Sequence, residues 1–432
     1  MPNHILRCTL CGAEYAPDPF RLQCDRPHAP SLLRAIYSAQ TLNINPDLPG
    51  VFRYADWLPV ERWLDISGKP ITYQSEKLAA YLGLSHLMIS FNGYFPERGA
   101  ALTTCSFKEL EAPPVLARIP AHHSQTLVIA SAGNTGRAFA NVCSALQMPL
   151  CLVIPERNLS AIWSANAFHP NVRLIGVSGD GDYSDAIALG RLISQMDGFF
   201  PEGGAANVAR RDGMGVTMID AAATLGRIPD HYVQAVGSGT GGISAWEANL
   251  RLLADGRFGT HRMKLHLAQN APFTPMVDAW AERSPEISIM NEAIAKSRIS
   301  QVSAQVLTNR QPAYSLAGGL YDALADTNGE MYAVTNEVSD RARQLFETLE
   351  GIDISPASGI ATAALMQAIA TGAIPKNDCV LLNITSGGIK RMQRDYPLQT
   401  LTPTITFTPD EITPERVARR IETWRTLSPI TT

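Results

Sequence analysis

Charged residues and long apolar runs are both scarce in this 432-residue sequence. Asp, Glu, Lys and Arg make up 18% of it, below the roughly 25% usual in globular domains, and the formal net charge is −4. So little charge, close to balance, argues against nucleic acid or an anionic membrane as partner. The longest uncharged apolar stretch, residues 354–375, contains Ser, Thr, Gln and two Pro, which predicts a buried helix rather than a membrane span.

Cysteine is also sparse. The seven scattered residues are an odd number and favour a reducing cytoplasm over a disulfide scaffold. The first residues, MPNHILRCTL, are polar and predict no secretory signal. The length exceeds what one hydrophobic core usually serves, so two or more domains are expected. Together these features predict a cytoplasmic, multi-domain globular protein.

Short apolar segments alternate with helical patterns through most of the chain. Strands that read as continuous apolar runs are typical of parallel sheets covered by helices on both faces. The alternation therefore predicts an α/β protein with doubly wound sheets, while residues 1–35, which carry a CxxC pattern, are expected to form a small separate module. The predicted strands occupy 126–130, 150–155 and 263–269, and the first parts of 172–179, 231–242 and 379–388.

Three of these strands lead into loops rich in Gly, Ser, Thr or Asn, and such loops bind ligands in open α/β sheets. GSGTGG, residues 237–242, supplies closely spaced backbone N–H groups at a helix N-terminus, which suits a phosphate, although a tight turn also explains it. SAGNTG, residues 131–136, is either a helix cap or a site with an amide donor. ITSGG, residues 384–388, supplies two hydroxyls, which are common in loops without any function.

Lys108, in the stretch TTCSFKELEA (103–112), would by itself be interpreted as a surface lysine. In combination the features indicate more. A lysine, a phosphate loop, an amide donor and a neutral hydroxyl are what pyridoxal phosphate (PLP) requires for its aldehyde, phosphate, ring oxygen and pyridine nitrogen. The sequence therefore predicts a PLP site.

The order of these motifs resembles that of the fold-type II PLP-dependent enzymes, over residues 70–400 approximately. EGGAANVARRDGMG (202–215) and the N-terminal CTLCG are similar to segments of threonine synthases, the latter to their zinc-ribbon remnant. Threonine synthases continue the lysine motif as SFKDR, whereas this chain has SFKELEAPP. That segment, with NGYFPERGA (92–100) and RQPAYSLAGGLYDAL (310–324), resembles the cysteate synthases of methanogenic archaea.

The resemblance implies a fold and a reaction. The fold is that of fold-type II (tryptophan synthase β-like) enzymes, with two interleaved α/β domains in residues 36–430, the smaller near 115–200, and the PLP site between them. The reaction is a β-replacement that converts O-phospho-L-serine and sulfite to L-cysteate and phosphate through an aminoacrylate, in coenzyme M biosynthesis. The family habit also implies a homo-oligomer, a dimer or a trimer.

The resemblance further assigns the cofactor contacts. Lys108 is the Schiff-base lysine and the base that moves the Cα proton. Asn134 is expected to donate to the ring oxygen, and Thr385, preferred over Ser386, to face the pyridine nitrogen. The cofactor phosphate is expected to bind the loop residues Gly237, Ser238, Gly239, Thr240 and Gly241.

The substrates are anionic, so hydroxyl and cationic side chains are expected around them. Ser131 and Thr135, beside Asn134, are the candidates for the substrate carboxylate. A surface ion pair is the alternative for any single arginine. The candidates for binding the substrate phosphate and sulfite are Arg98, Arg210, Arg211 and Arg310.

The N-terminal module contains a second candidate site. Cys8, Cys11, Cys24 and His28 have a spacing that could supply four zinc ligands. The second half reads CxxxH in place of the CxxC of a zinc ribbon, so a metal-free remnant is the alternative.

Other functions remain open from the sequence alone. A threonine synthase acting on O-phosphohomoserine has the same cofactor, but SFKELEA in place of SFKDR argues against it. A non-catalytic ligand-sensing protein of the same fold would have no need of the lysine and both loops together. Sulfide or a thiol in place of sulfite leaves no distinctive residue pattern.

Overall fold

The computed structural model describes residues 3–66, 68–121, 123–131 and 133–427. Every strand predicted from the sequence is present. The strands are β1 His4–Cys8, β2 Glu14–Tyr15, β3 Leu33–Tyr37, β4 Ile71–Gln74, β5 His86–Phe91, β6 Tyr94–Phe95, β7 Ala100–Ala101, β8 Thr126–Ala130, β9 Leu150–Pro155, β10 Trp163–Ser164, β11 Val172–Val177, β12 Phe199–Pro201, β13 His231–Ala235, β14 Lys264–Asn270, β15 Glu330–Val334, β16 Cys379–Ile384, β17 Gln399–Thr400 and β18 Pro403–Phe407. The helices are α1 Lys77–Leu82, α2 Ala112–Arg118, α3 Asn134–Ala145, α4 Tyr183–Ser194, α5 Val208–Leu225, α6 Thr240–Asp255, α7 Pro275–Ala281, α8 Glu292–Gln301, α9 Leu320–Asp326, α10 Asn336–Glu350, α11 Pro356–Ala370, α12 Ile389–Asp395 and α13 Pro414–Leu427.

The chain divides into two compact units, of which the first comprises residues 1–118 and 205–392. Its main sheet has the strand order β15-β14-β13-β16-β5-β4, parallel except for the edge strand β4, which runs antiparallel to β5. Strands β13 and β16 are buried along their whole length. This burial explains the mostly apolar sequence CVLLNI of β16, whereas β13, HYVQA, also buries the polar residues His231 and Gln234. Helix α11 is also buried on most sides, as predicted for the uncharged stretch.

The same unit contains the N-terminal module as a three-stranded antiparallel sheet of order β2-β1-β3. Along β1 the side chains alternate between buried and more exposed positions, the pattern of a strand with one face on the core. Strand β3 pairs with β1 from Leu33 opposite Cys8 to Tyr37 opposite His4. The module therefore places its cysteines at one end of this small sheet.

The second unit comprises residues 119–204 and 393–432. Its five-stranded sheet, of order β12-β8-β9-β11-β18, is parallel throughout. The last strand and helix of the chain belong to this unit because β18 pairs with β11, and Val417, Ile421 and Trp424 of α13 join its buried apolar cluster. No helix in the described ranges is both long and apolar enough to span a membrane.

We expect buried His266 to make the stability of the protein depend on pH. Its Nε2 lies 2.9 Å from Nδ1 of His231, and its Nδ1 lies 2.8 Å from the hydroxyl of Tyr332. Burial, with the nearby charges of His231 and Lys264, lowers the pKa of His266 to about 3. Below about pH 6.5 the unfolded chain therefore binds a proton here that the folded chain does not, and stability is lost as pH falls toward about 3.

We expect the free energy of unfolding to fall by up to about 1.4 kcal/mol per pH unit in this window because of His266 alone. The measurement is urea unfolding between about pH 5 and 7 for the wild type and for His266→Gln, which should show the weaker pH dependence. His86→Gln, at an exposed position of β5, is the control. Equal pH dependence in wild type and His266→Gln would contradict the prediction.

Candidate active site

Lys108 lies in a short 3₁₀ turn, Phe107–Leu110, that follows a strained backbone segment. Cys105 has a φ of 51°, in the left-handed region that residues other than glycine seldom occupy. Its carbonyl oxygen accepts a hydrogen bond of 2.6 Å from the Ser386 hydroxyl. The Ser106 hydroxyl caps the turn by accepting from the backbone N–H of Lys108 at 3.2 Å. The backbone that carries the lysine is thus held on both sides of Ser106.

The turn is attached to the carboxyl end of the six-stranded sheet. The backbone N–H of Phe107 donates to the carbonyl oxygen of Thr385 at 2.9 Å. Thr385 directly follows β16, which pairs in parallel with β13, and β13 leads into the loop 237–242. Because neighbouring parallel strands end at the same edge of a sheet, Lys108, Thr385 and the glycine-rich loop belong to one edge.

The amine of Lys108 is paired with a fully buried carboxylate. Its Nζ lies 3.2 Å from Oε2 of Glu111 and 3.4 Å from the sulfur of Met214. The Glu111 side chain has no exposed surface, and its Oε2 also accepts from Nε of Arg210 at 3.2 Å, while Nη2 of Arg210 lies 3.1 Å from Oε1 as an ion pair. One carboxylate therefore balances two cations, and it fixes the position of the amine.

Helix α5, which carries Arg210 and Met214, packs closely against the lysine turn. A β-carbon added at Gly213 would lie 2.3 Å from the carbonyl oxygen of Leu110. Only glycine permits this approach of the two backbones, which gives the glycine of the ARRDGM segment a physical role. Asn207 caps the helix by accepting from the N–H of Ala209 at 3.1 Å.

The loop before α6 fits the phosphate group of pyridoxal phosphate. Helix α6 has 16 residues, and at its N-cap Gly239 the backbone is left-handed, with a φ of 80°. Because the N-cap residue Gly239 has no side chain, it cannot cap the first turn of α6. The N–H groups of that turn and the helix dipole can therefore serve an anion. Ser238 and Thr240 have hydroxyl oxygens 2.8 Å apart, and Gly237 and Gly241 complete the loop.

The two hydroxyls of the 384–388 loop have different roles. Ser386 donates its hydroxyl to the carbonyl of Cys105, and its backbone N–H donates to the Ser358 hydroxyl at 3.1 Å. Thr385 is 5% exposed, and its carbonyl oxygen accepts from the backbone N–H of Phe107 in the lysine turn. Its hydroxyl is therefore the one that suits a heterocyclic nitrogen.

In the second unit, the loop 131–136 leads into α3. Asn134 is the first residue of the helix, and its Oδ1 accepts from Nη2 of Arg137 at 2.8 Å, so its amide nitrogen is the atom suited to donate to a ligand. The Ser131 hydroxyl shapes the loop by accepting from the N–H groups of Gly133 and Gly136 at 3.1 and 2.9 Å. Thr135 is buried in the first turn of the helix. Ala132 of this motif lies outside the described residues.

The four candidate arginines lie in different environments. Arg210 contacts the site directly through Glu111. Arg98 is exposed and stacks over the ring of Tyr73 at 4.0 Å. The Arg310 side chain is 18% exposed, with its Nη1 3.9 Å from Glu292, in the segment between the 3₁₀ turn Gln305–Leu307 and Ala313. Arg98, Arg210 and Arg310 stay candidates for binding an anion.

Arg211 requires a correction, because the structure gives it a structural role. It is fully buried, its Nε lies 2.9 Å from Oε2 of Glu247, and its other nitrogens donate to the carbonyls of Ala205 and Leu33. Burial alone would raise the pKa of Glu247, but Arg211 and Arg34 hold it below its usual value. Because the side chain is fully buried and each of its three nitrogens is bonded to the protein, Arg211 stabilises the unit instead of facing a substrate.

The predicted metal ligands come together in the N-terminal module. The ligand atoms of Cys8, Cys11, Cys24 and His28 all lie within 4.8 Å of one another. All seven cysteines are free thiols.

Glu111 is a residue of the candidate site that the sequence-based assignment missed. It lies three positions after Lys108, a spacing at which opposite charges meet on one helical face, so the pair Lys108–Glu111 could have been proposed. Its contact with Arg210, 99 positions away, has no signal in a single sequence.

Comparisons with known proteins identify the family of the chain. The family described as "Pyridoxal-phosphate dependent enzyme" matches residues 98–386. The chain is 49% identical to a cysteate synthase of Methanosarcina acetivorans over 95% of this chain and 98% of that protein. It is 47% identical to one from Methanocella paludicola over 99% of both chains.

Solved structures share the fold at much lower identity. Threonine synthase from Escherichia coli matches with a TM-score of 0.57 and 13% identity, covering 79% of each chain. A maize serine racemase matches with a TM-score of 0.55 and 13% identity, covering 76% of this chain and 92% of that one. Because the family match spans most of the chain and the curated relatives match nearly end to end, the chain belongs to the pyridoxal-phosphate dependent enzyme family, within its cysteate synthase group.

Proposed function

We propose that this chain replaces the phosphate of O-phospho-L-serine with sulfite, which yields L-cysteate and phosphate for coenzyme M biosynthesis. The bond from Cβ to the phosphate oxygen breaks and a bond from Cβ to sulfur forms, so no oxidant or reductant is needed. The observation that carries the proposal is the near end-to-end similarity, at about half of all positions, to proteins named cysteate synthase.

Pyridoxal phosphate, when bound, supplies an electron sink for negative charge that develops at the substrate Cα. Lys108 would hold it covalently, and the loop from Gly237 to Gly241 would bind its phosphate with backbone N–H groups. The Thr385 hydroxyl would bond the pyridine nitrogen, a choice supported by the engagement of Ser386 with Cys105. Asn134 would donate its amide N–H to the ring oxygen, a role supported by the bond of its Oδ1 to Arg137.

Lys108 is also the base that removes the proton from Cα and later returns it. Its amine must change protonation state and stay in place while it does so. The contact with Glu111 at 3.2 Å and the backbone bonds of the turn support this positioning. A neutral hydroxyl at Thr385 leaves the pyridine nitrogen without a charged partner, which restrains competing reactions at Cα.

The anionic parts of the substrates need cationic and hydroxyl partners. Arg210, with Arg98 and Arg310, is proposed for the substrate phosphate and for sulfite, since planar guanidinium groups bind oxyanions with two parallel hydrogen bonds. Ser131 and Thr135 are proposed for the substrate carboxylate. Seven free thiols support a cytoplasmic location, and the family habit supports a homo-oligomeric assembly.

The test is turnover by the PLP-loaded protein. With O-phosphoserine and sulfite we expect phosphate release together with a product of the mass of cysteate. O-phosphohomoserine in place of O-phosphoserine, and sulfide in place of sulfite, should each react much more slowly. Turnover of O-phosphohomoserine to threonine would contradict the proposal in favour of a threonine synthase. Binding of PLP with no turnover of any of these substrates would indicate the ligand-sensing protein.

A further inference from the structure

Two of the separations among the side chains of Cys8, Cys11, Cys24 and His28 match those of ligands around one tetrahedral ion. Zinc bonds of about 2.3 Å to sulfur and about 2.05 Å to nitrogen put two sulfurs roughly 3.8 Å apart and a sulfur and a nitrogen roughly 3.6 Å apart. The sulfurs of Cys11 and Cys24 lie 3.7 Å apart, and the Cys8 sulfur lies 3.5 Å from Nε2 of His28. Hydrogen bonds can account for each of these pairs alone, but the convergence of all four ligand atoms within 4.8 Å of one another is what a single metal ion requires.

The groups around the cluster also prepare it for a cation. Nδ1 of His28 lies 2.7 Å from the carbonyl oxygen of Ala29, and since a carbonyl only accepts, Nδ1 carries the proton and Nε2 has the free lone pair. The Tyr15 hydroxyl lies 3.0 Å from the sulfur of Cys24, and the Ser31 hydroxyl 3.2 Å from that of Cys8. Such donors stabilise thiolates, which are the form that binds metal.

The N-terminal module contacts the segment that also bonds to the glycine-rich loop. The Thr9 hydroxyl lies 2.8 Å from the carbonyl oxygens of both Leu32 and Ala317, and Leu32 N–H donates to the same Ala317 oxygen at 2.9 Å. A few residues earlier, the N–H of Ala313 donates to the carbonyl of Ser238 at 2.9 Å. The segment 313–320 thus connects the N-terminal module to the glycine-rich loop.

We propose that Cys8, Cys11, Cys24 and His28 bind one zinc ion, and that this ion fixes the segment 313–320 against the glycine-rich loop. The first half of the proposal, the binding of zinc, is independent of the reaction. The second half rests on the proposed binding of the cofactor phosphate by that loop. A bound ion would hold Cys8 and, through its neighbours Thr9 and Ser31, the contacts to Ala317.

The first half is tested by metal analysis of the purified full chain. We expect about one zinc per chain in the wild type and close to none in Cys24→Ser or His28→Ala. Cys379→Ala, which removes a buried thiol of β16, should keep its zinc and serves as the control. Cobalt added to chelator-stripped wild type should give the intense visible bands of tetrahedral thiolate coordination. A wild type without bound metal, or variants that keep it, would show that the module is a metal-free remnant.

The second half is tested by PLP affinity. Metal-free wild type should bind PLP about tenfold more weakly, equal to about 1.4 kcal/mol, and added zinc should restore the affinity. Thr9→Val leaves all four ligands intact, so it should keep the zinc and still lose part of the PLP affinity. Equal PLP affinity with and without zinc would overturn this half. Failure of every zinc-loaded form to bind PLP would instead refute the proposed function, and zinc content would distinguish the two results.

Discussion

Lys108→Ala is expected to abolish turnover and the covalent attachment of the cofactor. Loss of proton transfer by the amine alone should lower the rate by about 10²- to 10⁴-fold, and loss of the covalent link adds to this. The fold should survive the change. Glu111 keeps its contact with Arg210, and the backbone bonds from Phe107 to Thr385 and from Ser386 to Cys105 do not involve the removed side chain.

The measurement combines borohydride reduction with mass spectrometry of peptides. In the wild type, the peptide that contains Lys108 should gain the mass of reduced PLP, and in the variant no peptide should gain it. Lys77→Ala, which removes an exposed lysine at the start of α1, should label and turn over like the wild type. Labelling at another lysine, or turnover by Lys108→Ala, would show that Lys108 is not the reactive residue.

Glu111→Gln is expected to lower the free energy of unfolding by about 3–5 kcal/mol, because two cations then lose their shared carboxylate inside the protein. The side chain of Glu111 has no exposed surface, and those of Lys108 and Arg210 are only 16% and 12% exposed, so water cannot replace the lost charge. We also expect PLP loading to decrease, because the amine of Lys108 is no longer held in place.

A double-mutant cycle separates the two cations. In the Lys108→Ala background only Arg210 still depends on Glu111, so Glu111→Gln should cost about 1–2 kcal/mol less than in the wild type. Glu347→Gln, which breaks the exposed pair with Lys390, should cost less than about 1 kcal/mol and is the matched control. Equal costs of Glu111→Gln in both backgrounds would mean that the contact with Lys108 has no energetic weight.

Much of the fold was predictable, because continuous apolar runs such as CVLLNI and LCLVIP are characteristic of strands buried on both faces. That the end of the chain belongs to the second unit was not predictable. Strand β18 reaches β11 across a distance of 230 positions, as in the bond from Thr404 to Leu174, and nothing local in the sequence specifies that register. The short antiparallel strand β4 at the other sheet edge likewise had no distinct pattern.

For the candidate site, residue types were predictable and orientations were not. Arg210 and Arg211 are neighbours in one motif, yet consecutive residues of a helix point about 100° apart. Packing decides that one meets Glu111 and the other Glu247. The sequence identified both as candidates and could not separate them.

The bond between Ser386 and Cys105 joins two parts of the chain that are synthesised far apart in time. The two residues are 281 positions apart, and the strands that place them are separated by most of the first unit. A growing chain therefore carries Lys108 through most of its synthesis before the partner loop exists. Contacts of such long sequence separation form late and slowly. Until then the lysine turn lacks its bonds to Thr385 and Ser386, so we expect its geometry to form only when nearly all of the first unit is present.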